Sequence, residues 1–153
     1  VPDMNGDDDS TPLATEAKAV RNAKKAILMT AGAAAQKLMA KLKHEQEILM
    51  NVADMLAAVY SMESTVLRTQ KLIAIKGEAA CATQIDMTKV FISDALEKLN
   101  IDGKHALQSF AEGDELRIML MGLKRYTKYE TINTKDARRR IAAKVLEAKK
   151  YNF

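Results

Sequence analysis

HEQEILMNVADMLAAVYSMESTVLR, residues 44–68, decides the fold. Ile48, Val52, Met55, Val59, Met62 and Val66 recur at steps of three and four, and Leu49, Ala53, Leu56, Tyr60 and Leu67 form a second, adjoining stripe. Apolar residues at that period put one face of a helix into a core. Two stripes make a face wide enough for partners on two sides, so the helix is expected in the middle of a bundle and not on its rim. No spacing within it spells out reaction chemistry.

The whole chain agrees with an all-α reading. Of its 153 residues 48% are hydrophobic but only 5% aromatic, and there is no Trp. Ala, Leu, Lys, Glu and Met, all good helix formers, dominate. Two prolines and six glycines leave few places for tight hairpins, and no segment alternates with period two. The length fits one domain that buries its core without disulfide or metal staples. The expectation is an antiparallel bundle of about five helices, the first two long.

Residues 1–9, VPDMNGDDD, are too polar to order themselves, so residues 1–10 read as an acidic linker and 11–153 as a single helical domain. Thr11 and Pro12 open the first helix, which runs to about Leu42. An unbroken helix from Pro12 to Ile75 would be about 95 Å long, so a tight turn is expected near Lys43. The second helix then covers Glu45 to Ile75 and stops before Gly77. A third spans Glu78 to Leu99 with Cys81, Ile85, Thr88, Phe91, Ile92, Ala95 and Leu99 inward, and ends at the turn-forming Asn100, Asp102 and Gly103. A short helical piece follows at Lys104 to Phe110. Asp114 caps a fourth helix, with Leu116, Met119, Leu120 and Leu123 as its stripe, and Thr134 caps a fifth carrying Ala137, Ile141, Val145 and Ala148. Tyr151, Asn152 and Phe153 are placed to pack back on the bundle.

The net charge of +4 conceals an asymmetry, because Asp3, Asp7, Asp8 and Asp9 load the first ten residues with negative charge. Lys135, Arg138, Arg139, Arg140, Lys144, Lys149 and Lys150 make the last helix basic. Such a stripe can meet an acidic partner or nucleic acid. No aromatic platform accompanies it, so a solvated helix face is favoured over nucleic acid. The lone Cys81 cannot form an internal disulfide, which with the absence of an apolar signal segment suggests an intracellular setting. The longest uncharged stretch, Ala26 to Gln36, is 11 residues, against about 20 for a spanning helix.

Candidate chemistry is sparse. Glu63, set among Leu56, Tyr60, Val66 and Leu67, could act as a base if buried, but pairing with an arginine or lysine such as Arg68 or Arg117 is the favoured reading. His44 and His105 lack metal-ligand spacing, and Cys81 fits a small buried hydrophobe. Asp3, Asn5, Gly6, Asp7 and Asp9 faintly resemble a calcium loop, but Ala14 stands where such a loop needs a carboxylate. The methionines are scattered at helical spacing as core residues. No residue is therefore assigned a catalytic, cofactor-binding or metal-binding role.

The segment EQEILMNVADMLAAVYSMESTVLR, with AGAAAQKLMAKL before it and RRRIAAKVLEAKKYNF near the end, resembles the C-terminal helical extension of large acyl-CoA dehydrogenases, the very-long-chain and related bacterial enzymes. The resemblance spans most of residues 10–153. It implies a non-catalytic part of a flavoenzyme of fatty acid oxidation, whose FAD, acyl-CoA contacts and catalytic glutamate belong to a core that this chain lacks. It also implies packing on that core, a homo-oligomer, and in some members membrane association. A start at Val1 within a polar leader fits an excised fragment. The cytoplasm is the expected location. A wide apolar face suited to an absent core should be exposed or covered by self-association. The rival is a self-contained helical binding module using the basic last helix.

Overall fold

The structure, a computed structural model, describes residues 10–153. Five α-helices follow one another, with no strand among the described residues: α1 Ala14–Leu38, α2 Gln46–Lys76, α3 Ala82–Gln108, α4 Gly113–Tyr126 and α5 Thr134–Ala148. Short 3-10 turns at Met39–His44 and Ala79–Cys81 join α1 to α2 and α2 to α3. The antiparallel arrangement can be read from paired residues. Lys24 meets Glu63 and Gln70 meets Pro12; Thr69 meets Thr88; Asn100 meets Thr127; Lys37 meets Glu115. Helices α1 to α4 thus run up and down in turn, and α5 lies against α3.

One core runs through the bundle. Ala23, Ala26, Met55, Met62, Ile92, Leu99 and Leu107 are buried within it, and Leu123 closes it from α4. Burying each of the larger side chains stabilises the fold by about 1.5–3 kcal/mol. A satellite cluster of Ala34, Ile48 and Ala106 sits at the α1–α2 turn, with Leu38 and Leu42 packed on it. That contact explains why α1 ends at Leu38, four residues before the expected Leu42: the 3-10 turn folds Leu42 over Ile48.

Other helix boundaries also differ from the sequence expectation. Helix α1 starts at Ala14 and not at Pro12, because Leu13 adopts φ 60° and drops its side chain into the core. The Gln70 amide holds that turn by donating to the Pro12 carbonyl at 3.1 Å. Helix α3 begins at Ala82 and runs through Asn100, Asp102 and Gly103 to Gln108, so the expected turn and separate short helix do not exist. Lys98 pairs with Asp102 one turn on, at 2.8 Å, and Gly103 lets Leu123 approach where a Cβ would come within 2.7 Å of its Cδ1. Tertiary packing there outweighs the turn propensity of the three residues. Helix α4 is entered from Glu112, with Asp114 in its first turn, and α5 is capped by Asn133, whose Oδ1 accepts from the Asp136 N–H at 3.1 Å.

The central position belongs to α3, which packs against each of the other four helices. Helix α2 touches only α1, α3 and the two 3-10 turns. Its expected place in the middle of the bundle is therefore incorrect: one stripe is buried and the other has no partner among the described residues. The expectation of an acidic linker over residues 1–10 concerns residues that, apart from Ser10, lie outside those described.

Candidate functional site

Helix α2 presents the most distinctive surface. Ile48, Met55, Val59, Met62 and Val66 are buried and Val52 is half-buried, as the first stripe requires. Leu49, Ala53, Leu56, Tyr60 and Leu67 all face solvent, with Leu56 at 55% and Tyr60 at 75% exposure. The stripe from Leu49 to Leu67 covers about 27 Å of helix at 1.5 Å per residue, with Glu63 and Ser64 in the interval between Tyr60 and Leu67. Alongside it, Ala57, Ala58, Ser61 and Ala95 line a shallow groove of about 380 Å³ between α2 and α3, flanked by Phe91. Phe91 was expected inward but is partly exposed. The groove is where α3 falls short of filling the second side of α2.

Charges flank this face, and Asp54, Asp94 and Lys98 also line the groove. Glu63 pairs with Lys24 of α1 at 2.6 Å, and both side chains remain largely solvated. The expected pairing with a basic side chain is thus present, but the partner is Lys24, not Arg68 or Arg117; Arg117 instead pairs with Asp114. On the opposite edge Asp54 lies 3.9 Å from Lys98, which also binds Asp102. Nothing sets Glu63 beside a partner for proton transfer.

The other candidates are dispersed. His44 and His105 are exposed at separate helix ends, and no group of three metal-ligating side chains occurs among the described residues. Cys81 is fully buried in the core. The residues resembling a calcium loop, Asp3 to Asp9, lie outside the described part. On the basic α5, Arg138 reaches Asp94 at 2.6 Å, and Arg140 grips Asp86 through two bonds of 2.8 and 2.9 Å. The Asp86 carboxylate raises the Arg140 pKa by hydrogen bonding first and by charge second. These arginines fasten α5 to α3. Tyr151 is exposed and stacks edge-on against Phe153 at 5.5 Å, so the expected packing of Tyr151 on the bundle is absent.

One polar cluster was not anticipated. Glu16, in the first turn of α1, is 2% exposed and accepts from the Tyr129 hydroxyl at 2.8 Å, with Lys89 Nζ 3.5 Å away. Burial, then the contact with Glu16, pushes the Tyr129 pKa upward. The three residues come from α1, α3 and the α4–α5 loop, so no local spacing could have revealed them. The Glu16–Tyr129 bond and the Lys89 ion pairs hold α1, α3 and the α4–α5 loop together.

Comparison with known proteins places the bundle. The family model of the acyl-CoA dehydrogenase C-terminal domain matches residues 22–125. A protein of Bacillus subtilis (strain 168) described as a probable acyl-CoA dehydrogenase is 42% identical over 139 residues, which cover 91% of this chain and 23% of the relative. The crystal structure of an acyl-CoA dehydrogenase from Bacillus anthracis complexed with FAD superposes with a TM-score of 0.89 at 42% identity, covering 93% of this chain and 25% of that one. The chain thus spans about a quarter of the length of the relatives it matches. Its helices, their order and its sequence agree with one part of those enzymes, and the chain belongs to the acyl-CoA dehydrogenase C-terminal domain family.

Proposed function

We propose that this chain is the helical C-terminal accessory domain of a longer FAD-dependent acyl-CoA dehydrogenase acting in fatty acid oxidation, and that it supplies structure while the chemistry resides elsewhere. The observation that carries this reading is the match of nearly the whole chain, at 42% identity, to a quarter of a flavin-bound enzyme. Residues 11–153 form the domain and 1–10 the linker to the catalytic core. The domain packs on that core and supports assembly of a homo-oligomer or its proximity to a membrane.

The described residues do not form a flavin site of the usual kind. The close-approach glycines, Gly103 and Gly122, face Leu123 and Met29 and serve helix packing, leaving no backbone cradle for a pyrophosphate there. All buried side-chain polar atoms among the described residues have hydrogen-bond partners within the chain. In this reading flavin belongs to the core, as does the base that activates the acyl-CoA substrate. A cytoplasmic location accords with the buried, unpaired Cys81. No described helix is long and apolar enough to cross a membrane.

Expression of the complete reading frame beside the 153-residue chain tests this function. The complete product is expected to carry flavin absorbance that bleaches on addition of an acyl-CoA, and the 153-residue chain to show neither property. Flavin binding or acyl-CoA oxidation by the short chain would overturn the reading, as would a reading frame without a dehydrogenase core.

A further inference from the structure

We infer that the outward stripe of α2, Leu49, Ala53, Leu56, Tyr60 and Leu67, is the seat on which an apolar helix of the dehydrogenase core docks. The inference rests on the proposed membership of this chain in a longer enzyme, and adds which surface meets the core and what chemistry that surface recognises.

Single exposed apolar side chains, such as Leu28 and Leu146, are ordinary on protein surfaces. Five of them recurring along one helix face are not, and mark an interface. The line repeats at helical spacing over about 27 Å, a length matched by another helix laid along it. Large Leu56, Tyr60 and Leu67 alternate with small Ala53 and Ala57, the relief that a facing helix fills with its own ridges. The charges at the two edges, Glu63 with Lys24 and Asp54 with Lys98, are already paired within the chain. The face therefore calls for an apolar partner and no complementary charge.

The size of the face selects the core over a second copy of the chain. Two freely diffusing proteins need roughly 800 Å² and about 20–30 residues on each side for a stable contact. One helix stripe supplies far fewer. Within one polypeptide the same stripe suffices, because the tether raises the effective concentration to roughly the millimolar range. The matched part of the Bacillus anthracis enzyme is 25% of that chain, so a large body of polypeptide is available as the occupant, and α2 lies within residues 22–125 matched by the family model.

Tyrosine nitration of the complete, flavin-loaded enzyme tests the inference. Tyr60 is 75% exposed in the bundle, so a free face would leave it nitrated as fast as in the denatured enzyme. Docking predicts several-fold slower nitration of Tyr60 in the native enzyme, unchanged across about a hundredfold dilution. Replacing Leu56→Glu together with Leu67→Glu should restore nitration of Tyr60 while flavin absorbance is retained. Equal reactivity in native and denatured enzyme, protection that disappears on dilution, or protection that survives the double substitution would each overturn the assignment. Protection lost on dilution would identify a second copy as the occupant. A complete product without flavin would instead overturn the functional reading beneath it, so the two failures are distinguishable.

Discussion

The Tyr129 hydroxyl donates to Glu16 Oε1 at 2.8 Å, joining residues 113 positions apart and tying the α4–α5 loop to the first turn of α1. Lys89 of α3 stands 3.5 Å from the same oxygen and 3.6 Å from Glu130, so three parts of the chain converge on one buried carboxylate. Replacing Tyr129→Phe removes the donor and leaves that carboxylate under-satisfied, at an expected cost of about 1–3 kcal/mol. For a domain of this size that lowers Tm by about 2–4 °C per kcal/mol, measurable by thermal unfolding followed by circular dichroism. An unchanged Tm would remove the cluster from the stabilising interactions.

The same tyrosine should govern stability in alkali. Burial and the neighbouring Glu16 both favour its neutral form and raise its pKa above the ordinary 10.0. A folded-state pKa above the unfolded value means that the stabilisation is complete below pH 10 and is lost as pH rises from there toward the folded pKa. Ultraviolet titration of the folded protein should therefore contain a late tyrosinate step that disappears in Tyr129→Phe. Stability should also fall less steeply above pH 10 in that variant. A titration identical in the two proteins would contradict the assignment.

Residues whose environment is set locally were legible from sequence, and those set by distant packing were not. Ile48, Met55, Val59, Met62 and Val66 gave the period of α2, and Gly77, with φ 84°, marks its end as expected. The second stripe was equally plain, but its occupant is not encoded in the periodicity: Leu56 and Tyr60 look the same whether a helix of this chain or of another part covers them. Asn100, Asp102 and Gly103 signalled a turn, yet Leu123, twenty residues later than Gly103, determines that the helix continues. Glu16, Lys89 and Tyr129 carry no mutual spacing, so their convergence becomes visible only in three dimensions.

Gly103 offers a sharper check of that packing. A Cβ there would meet Leu123 Cδ1 at 2.7 Å and Cδ2 at 2.9 Å, and Leu123 is fully buried. Gly103→Ala gains about 0.8–1.0 kcal/mol of helix propensity, against about 1–3 kcal/mol for overpacking. Net destabilisation is expected. Gly32, mid-helix in α1, has no atom within 4 Å of its would-be Cβ. Gly32→Ala should therefore stabilise by about 0.5–1 kcal/mol. Chemical denaturation of both variants gives opposite signs if the contact is as described, and the same sign if Leu123 yields.

Helix α5 should prove the least firmly held element. Ala137 is its one buried residue, and its attachment depends on Arg138 with Asp94, a pair largely in solvent, and on Arg140 with Asp86, whose carboxylate is mostly covered. Exposed pairs typically contribute about 0.2–1 kcal/mol each and weaken with salt. Asp86→Ala combined with Asp94→Ala should raise hydrogen exchange across residues 134–148 while leaving α1 to α3 protected, a local opening and not a global one. High salt should produce part of the same effect in the unsubstituted protein. If exchange in α5 is unchanged by both treatments, apolar contacts of Ala137, Ile141 and Val145 hold the helix, and the arginines are free to serve an acidic partner.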